Sequence, residues 1–359
     1  MQINKPTLII DESIARRNIR NMAQKANRNN VEFIPHFKTH QSKEVGEWFR
    51  QEGISKITVS SVSMAKYFAE NGWNDITIAF PVNLLEIEDI NELASRVELT
   101  LLLVNIEVIQ KFKTFKNKVL FYVEIDAGYH RSGVNYNNFS YIHELITEIN
   151  NSHHPFKGFY CHAGNSYSAR KSTDVRIMYS EVQTRLQQLA TEFELFNPKI
   201  AIGDTPTCSI IETFEGISSL HPGNFVYYDL TQVEIGSCNI EDIAVVVKCP
   251  VVMKSKERNE LVIYGGGVHF SKEQLEIDGR TTYGLVSKQD NGGMDMLVHE
   301  TYVKSISQEH GIISTTREFL NSVKVGEVLT IFPVHSCMTV DCMHQAFTSD
   351  GKVIFIMPK

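Results

Sequence analysis

KVLFYVEIDAGYHRSGVNYNNFSYIHELITEINNSHHPFKGFYCHA, residues 118–163, runs from one apolar stretch through a turn-rich loop and an amphipathic segment to a second apolar stretch. KVLFYVEID (118–126) and FKGFYCHA (156–163) read as strands. NNFSYIHELITEINN between them carries apolar residues at three- and four-residue spacing and reads as a helix. This is a βαβ unit, with parallel strands and a helix laid over them. The rhythm extends in both directions. VEFIPHF (31–37), KITVSSV (56–62), DITIAF (75–80) and VELTLLL (97–103) come before, and PKIAIGD (198–204) and SSLHPGNFVYYD (218–229) come after, which makes eight expected strands. Further helical patterns lie in DESIARRNIRNMAQKANRN, SVSMAKYFAENG and DVRIMYSEVQTRLQQLATEF. Eight parallel strands close a barrel, so residues 1–235 are expected to form an α/β domain, a (β/α)8 TIM-type barrel.

From residue 236 to 359 the texture changes. IAVVVKCPVVMKS, ELVIYGGGVHF, MLVHETYVKSISQEHGIIS, VLTIFPVHSCMTV and KVIFIMPK are strand-like runs with no helical pattern between them, so a mostly β C-terminal domain is expected. Asp290–Gly293 and Glu309–Gly311 read as turns within it.

The composition excludes several classes. With 42% hydrophobic and 21% charged residues in 359, the chain can bury a large core, which rules out disorder as the main state. Its 35 Lys and Arg against 42 Asp and Glu give a net charge of −7, which repels polyanions, so nucleic acid is not an expected partner. The apolar run in MQINKPTLIIDES is too short for a secretory signal, and LTLLLV (99–104) ends at Asn105, far short of a membrane span. A cytoplasmic protein without a membrane partner is expected. The six cysteines (161, 208, 238, 249, 337, 342) include no CxxC pair and are expected to stay reduced.

In a parallel barrel the reactive groups sit where the strands end. The first strand ends in Pro35-His36-Phe37-Lys38-Thr39-His40, which places a lysine between two histidines. Partial burial and positive neighbours make such an amine available for imine chemistry, although an ordinary surface lysine also fits the position. The sixth strand ends in Tyr160-Cys161-His162-Ala163-Gly164-Asn165-Ser166-Tyr167, which suits a binding loop or a core-lining aromatic pair with a satisfied histidine. Gly203-Asp204-Thr205-Pro206-Thr207 and Pro222-Gly223-Asn224 offer backbone N–H groups and hydroxyls late in the barrel, where phosphates are often held; each taken singly also reads as a plain turn. In the second domain, Pro333-Val334-His335-Ser336-Cys337 follows an apolar run, so in an extended chain His335 and Cys337 share one side. Imidazole and thiolate together favour zinc, and a buried structural His and Cys fit equally. His269 and His344 are further candidate ligands.

Taken together, PHFKTH, DAGYHRSGV (126–134), CHAGNSY, GDTPT with HPGNFVYYD, and HSC resemble, in order, the fold type III pyridoxal-phosphate enzymes. Within them the resemblance is to the D-serine dehydratase and D-threonine aldolase family, whose barrel is like that of alanine racemase. The matching segments span residues 35 to 337. The resemblance implies that Lys38 forms the Schiff base with the cofactor aldehyde, that Thr205, Gly223 and Asn224 hold its phosphate, and that Tyr160 and Tyr167 line its ring. It implies zinc on His335 and Cys337, an architectural role for Arg131, and a homodimer. Asp204, Asn165 and Ile34 depart from the family pattern: Asp204 stands where a small hydroxyl residue is usual, Asn165 where a second histidine is frequent, and Ile34 where an arginine is common.

The implied reaction is elimination of water from a β-hydroxy D-amino acid such as D-serine, with Lys38 taking the α-proton and zinc activating the β-hydroxyl, to give a 2-keto acid and ammonia. The alternative is a metal-dependent aldolase that yields glycine and an aldehyde. The family's aldolases tend to carry His-x-Asp and its dehydratases His-x-Cys, so His335-x-Cys337 favours dehydration. A racemase would need a tyrosine from the second domain opposite Lys38, for which Tyr264 and Tyr283 are candidates without a supporting motif, and a non-catalytic cofactor carrier would not need the added β domain.

Overall fold

The computed structural model describes residues 2–289 and 295–358, so the turn expected at Asp290–Gly293 lies outside the described residues. The chain divides into two compact units. One comprises Ile19–Lys38 and Gly46–Phe225; the other comprises Thr39–Val45 together with the stretches up to Asn18 and from Val226 onward.

After strand β1 (Thr7–Ile10), the chain forms β2 (Glu32–Phe33), β3 (Lys56–Val59), β4 (Asp75–Pro81), β5 (Glu98–Leu103) and β6 (Leu120–Asp126). There follow β7 (Val134–Asn135), β8 (Phe156–Cys161), β9 (Lys199–Ile202) and β10 (Ser219–Leu220). Eight of these pair in parallel in the order β2-β10-β9-β8-β6-β5-β4-β3, with β7 added beside β6. The first and last members also meet. Phe37 N–H donates to Thr58 O at 2.8 Å and Thr58 N–H to Pro35 O at 2.9 Å, while Ile34 and His36 donate to Leu220 and Pro222 on the other side. The stretch from Glu32 to Phe37 is thus bonded along both edges, which closes the barrel and leaves no open edge at that seam.

The interior alternates as a pleated strand requires. Leu102, Tyr122, Tyr160 and Ala201 form a buried cluster, and Thr58, Thr77 and Thr100 lie side by side on β3, β4 and β5. The covering helices bury one stripe each, as Phe139–Asn150 does with Ile142, Leu145, Ile146 and Ile149. Each such side chain contributes roughly 2 kcal/mol of transfer energy.

The second unit has β11 (Val245–Ser255), β12 (Glu260–Tyr264), β13 (Leu275–Ile277), β14 (Arg280–Thr282), β15 (Gly284–Gln289), β16 (Asp295–Ile306), β17 (His310–Ser314), β18 (Val328–Pro333), β19 (Gln345–Thr348) and β20 (Val353–Phe355). Its sheet runs β12-β17-β16-β15-β18-β11-β1-β19-β20, and β12 also pairs with β11, so the first six strands close a ring. The reversal between β16 and β17 falls at 307–309, two residues before the expected turn at Glu309–Gly311, where Ser307 N–H donates to His310 O at 2.9 Å.

Two features differ from the sequence reading. β1 lies in this sheet and not in the barrel, antiparallel to β11 and parallel to β19, so the division of the chain is not a single cut after residue 235. All four of its residues, Thr-Leu-Ile-Ile, are buried, as a strand with neighbours on both edges requires. Short helices also interrupt the β region at Gly267–Phe270, Arg317–Ser322 and Ser336–Met343. The first and third begin inside runs that read as extended, and the second lies between two such runs.

Candidate active site

Phe37 anchors the end of the first barrel strand. Its ring packs against Phe49, Phe68 and Trp73 with centroids 4.9, 4.9 and 5.0 Å away. Lys38 follows in a turn, half-buried, its N–H donating to His36 Nδ1 at 3.3 Å. It therefore stands at the C-terminal end of a barrel strand, where parallel barrels place their chemistry.

His162, at the end of β8, identifies its neighbours. Enclosure of the ring by protein, together with the positive charges of Lys38 and Arg131, holds its pKa down at about 3. The imidazole is neutral near pH 7, with Nδ1 3.2 Å from Gly203 O. The charges of Lys38 and Arg131, far apart in sequence, thereby both bear on a single uncharged ring. Arg131 also sits 5.2 Å from the centroid of Tyr129.

The loop that carries Arg131 is built by Asp126. Its Oδ1 accepts from the N–H groups of Gly128, Tyr129 and His130 at 2.8, 3.0 and 3.0 Å, and its Oδ2 meets His130 Nδ1 at 2.8 Å. Gly133 closes the loop at φ +102°, where a Cβ would lie 2.7 Å from Asp126 N. The Asp-x-Gly pattern was a readable signal for this turn, because a short carboxylate mimics a backbone acceptor.

Tyr160 lies in the barrel interior. It is 3% exposed within the barrel cluster, and its ring meets His221 edge-on at 5.2 Å. A Cβ on Gly203 would come within 2.7 Å of its hydroxyl, so the GDTPT turn needs glycine there to pass over the phenol. Tyr167 is half-buried in the turn Gly164–Ser168, its ring 6.3 Å from that of His162, and its hydroxyl accepts from Thr205 N–H at 3.4 Å.

Thr205 opens the helix Thr205–Ile210 and is fully buried, and its Oγ1 has no hydrogen-bond partner among the described residues. The Oδ1 of Asn165, in the neighbouring turn, is likewise buried with no partner among them. Buried polar atoms left unmade cost free energy, and a ligand oxygen or donor would satisfy them. Asp204 caps the same helix, its Oδ2 accepting from Thr207 N–H at 3.0 Å and Ser166 Oγ at 2.7 Å. Gly223 and Asn224 follow Pro222, whose carbonyl bonds to His36 N–H at 2.8 Å, so they belong to the same end of the barrel as Lys38. Ile34 is a core residue at 1% exposure.

In the other unit, His335 ends the chain segment after β18, and Cys337 is the second residue of the helix Ser336–Met343. The extended geometry expected for this pair is replaced by a strand-to-helix corner. Asp229 makes the corner, its Oδ2 accepting from Ser336 N–H at 2.9 Å and Oγ at 3.3 Å while its Oδ1 caps Gln232 N–H at 3.0 Å. His335 and Cys337 nevertheless meet. Burial works against charging His335, but its hydrogen bond to Cys337 and the nearby charges of Cys337, Asp229 and Glu273 push it up to about 9. Thr39 Oγ1 is 3.2 Å from Cys337 Sγ, and the buried hydroxyl of Tyr227 has no partner.

A histidine touching a thiol is a donor pair of zinc character. Among the described residues no three His, Cys, Asp or Glu side chains gather into a metal cluster. His269 turns its Nδ1 to Gly266 N–H at 3.1 Å and faces Glu309, and His344 ends the helix at φ +57°. Tyr264 stacks edge-on with His269 at 5.6 Å, and Tyr283 bonds Gln274 at 3.1 Å.

Residues 10–229, more than half of the chain, match the family model of the alanine racemase N-terminal domain, and residues 244–349 match that of a serine dehydratase domain. The chain belongs to the alanine racemase-like family, fold type III. The match to the dehydratase domain places it among the pyridoxal-phosphate-dependent lyases of that family. A D-serine dehydratase of Dictyostelium discoideum is 27% identical over 98% of this chain and 95% of its own length. The solved D-threo-3-hydroxyaspartate dehydratase from Delftia sp. HT23 superposes with a TM-score of 0.90 at 25% identity, covering 100% of this chain and 98% of that one. D-threonine aldolase from Filomicrobium marinum shares the fold, with a TM-score of 0.82 at 18% identity over 99% of this chain and 97% of that one. Among the described residues no helix is long and apolar enough to cross a membrane.

Proposed function

We propose that this chain is a pyridoxal-phosphate- and zinc-dependent lyase that removes water from a β-hydroxy D-amino acid in the manner of D-serine dehydratase. The observation that carries the reading is the group at the C-terminal end of the barrel: Lys38 and Arg131 around neutral His162, with the unpartnered hydroxyl of Thr205 in the next loop but one. When bound, pyridoxal phosphate supplies an electron sink for charge at the α-carbon and zinc a Lewis acid for a hydroxyl oxygen.

The side chains of this protein do the rest. Lys38 holds the cofactor through its amine and, once released by substrate, takes the α-proton. Thr205, Gly223 and Asn224 bind the phosphate, with Tyr167 against Thr205. Tyr160 and Tyr167 would line the cofactor ring. Because His162 is uncharged, it leaves Lys38 and Arg131 as the cations available to the substrate carboxylate and the cofactor. His335 and Cys337 are the zinc ligands, supported by Asp229 through Ser336. A D-threo-3-hydroxyaspartate dehydratase of the same fold is known in a metal-free form, which fits a metal requirement in such enzymes. For D-serine the net products are pyruvate and ammonia, the water lost being regained on hydrolysis. We place the enzyme in the cytoplasm as a homodimer, which suits the absence of any disulfide among the described residues and the family resemblance.

Incubation with D-serine and with D-threonine tests the reaction. Keto acid and ammonia are expected; glycine and acetaldehyde without keto acid would make it an aldolase. Lys38→Ala should abolish the visible Schiff-base absorbance, and a variant that kept the band would overturn both the cofactor and the lysine assignment.

A further inference from the structure

Asp204 is a buried carboxylate set beside the hydroxyl assigned to the cofactor phosphate, and we propose that it orders the binding loops at the cost of a weaker hold on that phosphate. The inference rests on pyridoxal phosphate being the cofactor.

The geometry has two parts. Asp204 is 1% exposed, and a single oxygen, Oδ2, takes both Thr207 N–H at 3.0 Å and Ser166 Oγ at 2.7 Å. It therefore joins the helix Thr205–Ile210 to the turn Gly164–Ser168, and this junction brings the Tyr167 hydroxyl to Thr205 N–H at 3.4 Å. Asp204 is a positioning residue for the cradle. The next residue along the chain is Thr205, fully buried, with the Oγ1 that lacks a partner.

The second part is charge. The groups that sense Asp204 are Cys161 on β8, Cys208 on its own helix and Tyr179 on the helix Ser172–Glu192, all neutral in their ordinary state. Among the described residues no Lys, Arg or His makes an ion pair with it. A phosphate ester carries between one and two negative charges near neutral pH. A like charge on the residue next to the one assigned to the phosphate, at an effective dielectric of about 20, weakens binding by about tenfold or more. A neutral acceptor at position 204 would keep the junction without the repulsion.

The test compares pyridoxal 5′-phosphate with pyridoxal, which lacks the phosphate, in binding to the full-length protein freed of cofactor. Burial pushes the Asp204 carboxyl above its ordinary range and the hydrogen bonds from Thr207 and Ser166 pull it back toward ionisation, so affinity is read from the visible Schiff-base absorbance at about pH 8, well above that ordinary range. Asp204→Asn retains an acceptor oxygen for Ser166 and Thr207 and removes the charge. Its affinity for pyridoxal 5′-phosphate should rise about tenfold while that for pyridoxal stays the same. Asp204→Ser, a good helix cap without charge, should likewise strengthen binding of pyridoxal 5′-phosphate and leave that of pyridoxal unchanged, and guards against a folding defect in the first variant. Unchanged or weaker binding of pyridoxal 5′-phosphate, or an equal change for both compounds, would overturn the inference and leave the cofactor reading standing. A wild-type protein that forms no band with either compound would sink the cofactor reading and the inference together.

Discussion

Lys38 owes its place to the residue before it. Phe37 is fully buried against Phe49, Phe68 and Trp73, so the backbone leaves the barrel at a fixed point and the lysine follows. Phe37→Ala should cost about 3–5 kcal/mol, read as a lower denaturant midpoint, with the Schiff-base band weakened as the lysine loses its fixed position. Arg131 can be tested through its neighbour. Because burial, Lys38 and Arg131 together hold His162 near 3, Arg131→Met should raise the pKa of His162, and an NMR titration showing no rise would remove Arg131 from the group. At this scale Lys38 was legible, since a lysine at a strand end has a meaning in any parallel barrel. The neutrality of His162 was not, because it depends on an arginine delivered by a different loop. Asp204 drew attention only as an extra carboxylate, and its cap and its bond to Ser166 needed coordinates.

Single residues also hold elements together, and two junctions carry predictions. His221 bridges β10 to β3 inside the barrel, its Nδ1 2.6 Å from Thr58 Oγ1 and its Nε2 2.9 Å from Ser219 Oγ. Thr58 spends its proton on Ile34 O at 2.9 Å, so His221 Nδ1 donates to Thr58, Nε2 accepts from Ser219, and the ring satisfies both hydroxyls only when neutral. Burial, with Lys157 nearby, depresses its pKa to about 3, so the unfolded chain binds a proton that the folded one refuses. Stability from this group is present above about pH 6.5 and is lost as pH falls toward 3, by about 1.4 kcal/mol per pH unit. His221→Gln should lower stability by about 1–3 kcal/mol near neutral pH, and the gap from wild type in urea midpoints should shrink as the solution is acidified. Asp229 is the second junction, holding the start of the helix Ser336–Met343. Asp229→Ala should weaken zinc binding about tenfold in a chelator competition, since support behind a ligand corner sets its geometry. The eight barrel strands were readable because each is an apolar run bounded by polar residues. The corner between His335 and Cys337 was not, because VLTIFPVHSCMTV is apolar with either period and only the Asp229 cap, brought from another part of the chain, decides where the strand stops.

For the molecule as a whole, the sequence reading placed the first ten residues in the barrel domain only by drawing its boundary at residue 235. Strand pairing is a non-local choice, and nothing within TLII distinguishes a barrel neighbour from one more than two hundred residues away. Leu8 faces Val247 and Ala346, and Ile10 faces Val245 and Thr348, with Leu8 and Ile10 at 0% exposure. β1 is thus an interior strand of the second sheet, and β19 and β20 reach β11 only through it. A fragment ending at residue 235 keeps β1 but loses both of its partners, which leaves a four-residue apolar strand with two bare edges, a template for aggregation. That fragment should accumulate as insoluble material, and Leu8→Ala in the full chain should cost about 2–5 kcal/mol although its strand partners, Val247 and Ala346, are remote in sequence. If residues 1–235 alone gave a soluble protein with a cooperative unfolding transition, β1 would be dispensable to the barrel portion. The cut read from composition would then be a true folding boundary, and the pairing of β1 with β11 and β19 would be a late docking of a finished barrel segment onto the second sheet.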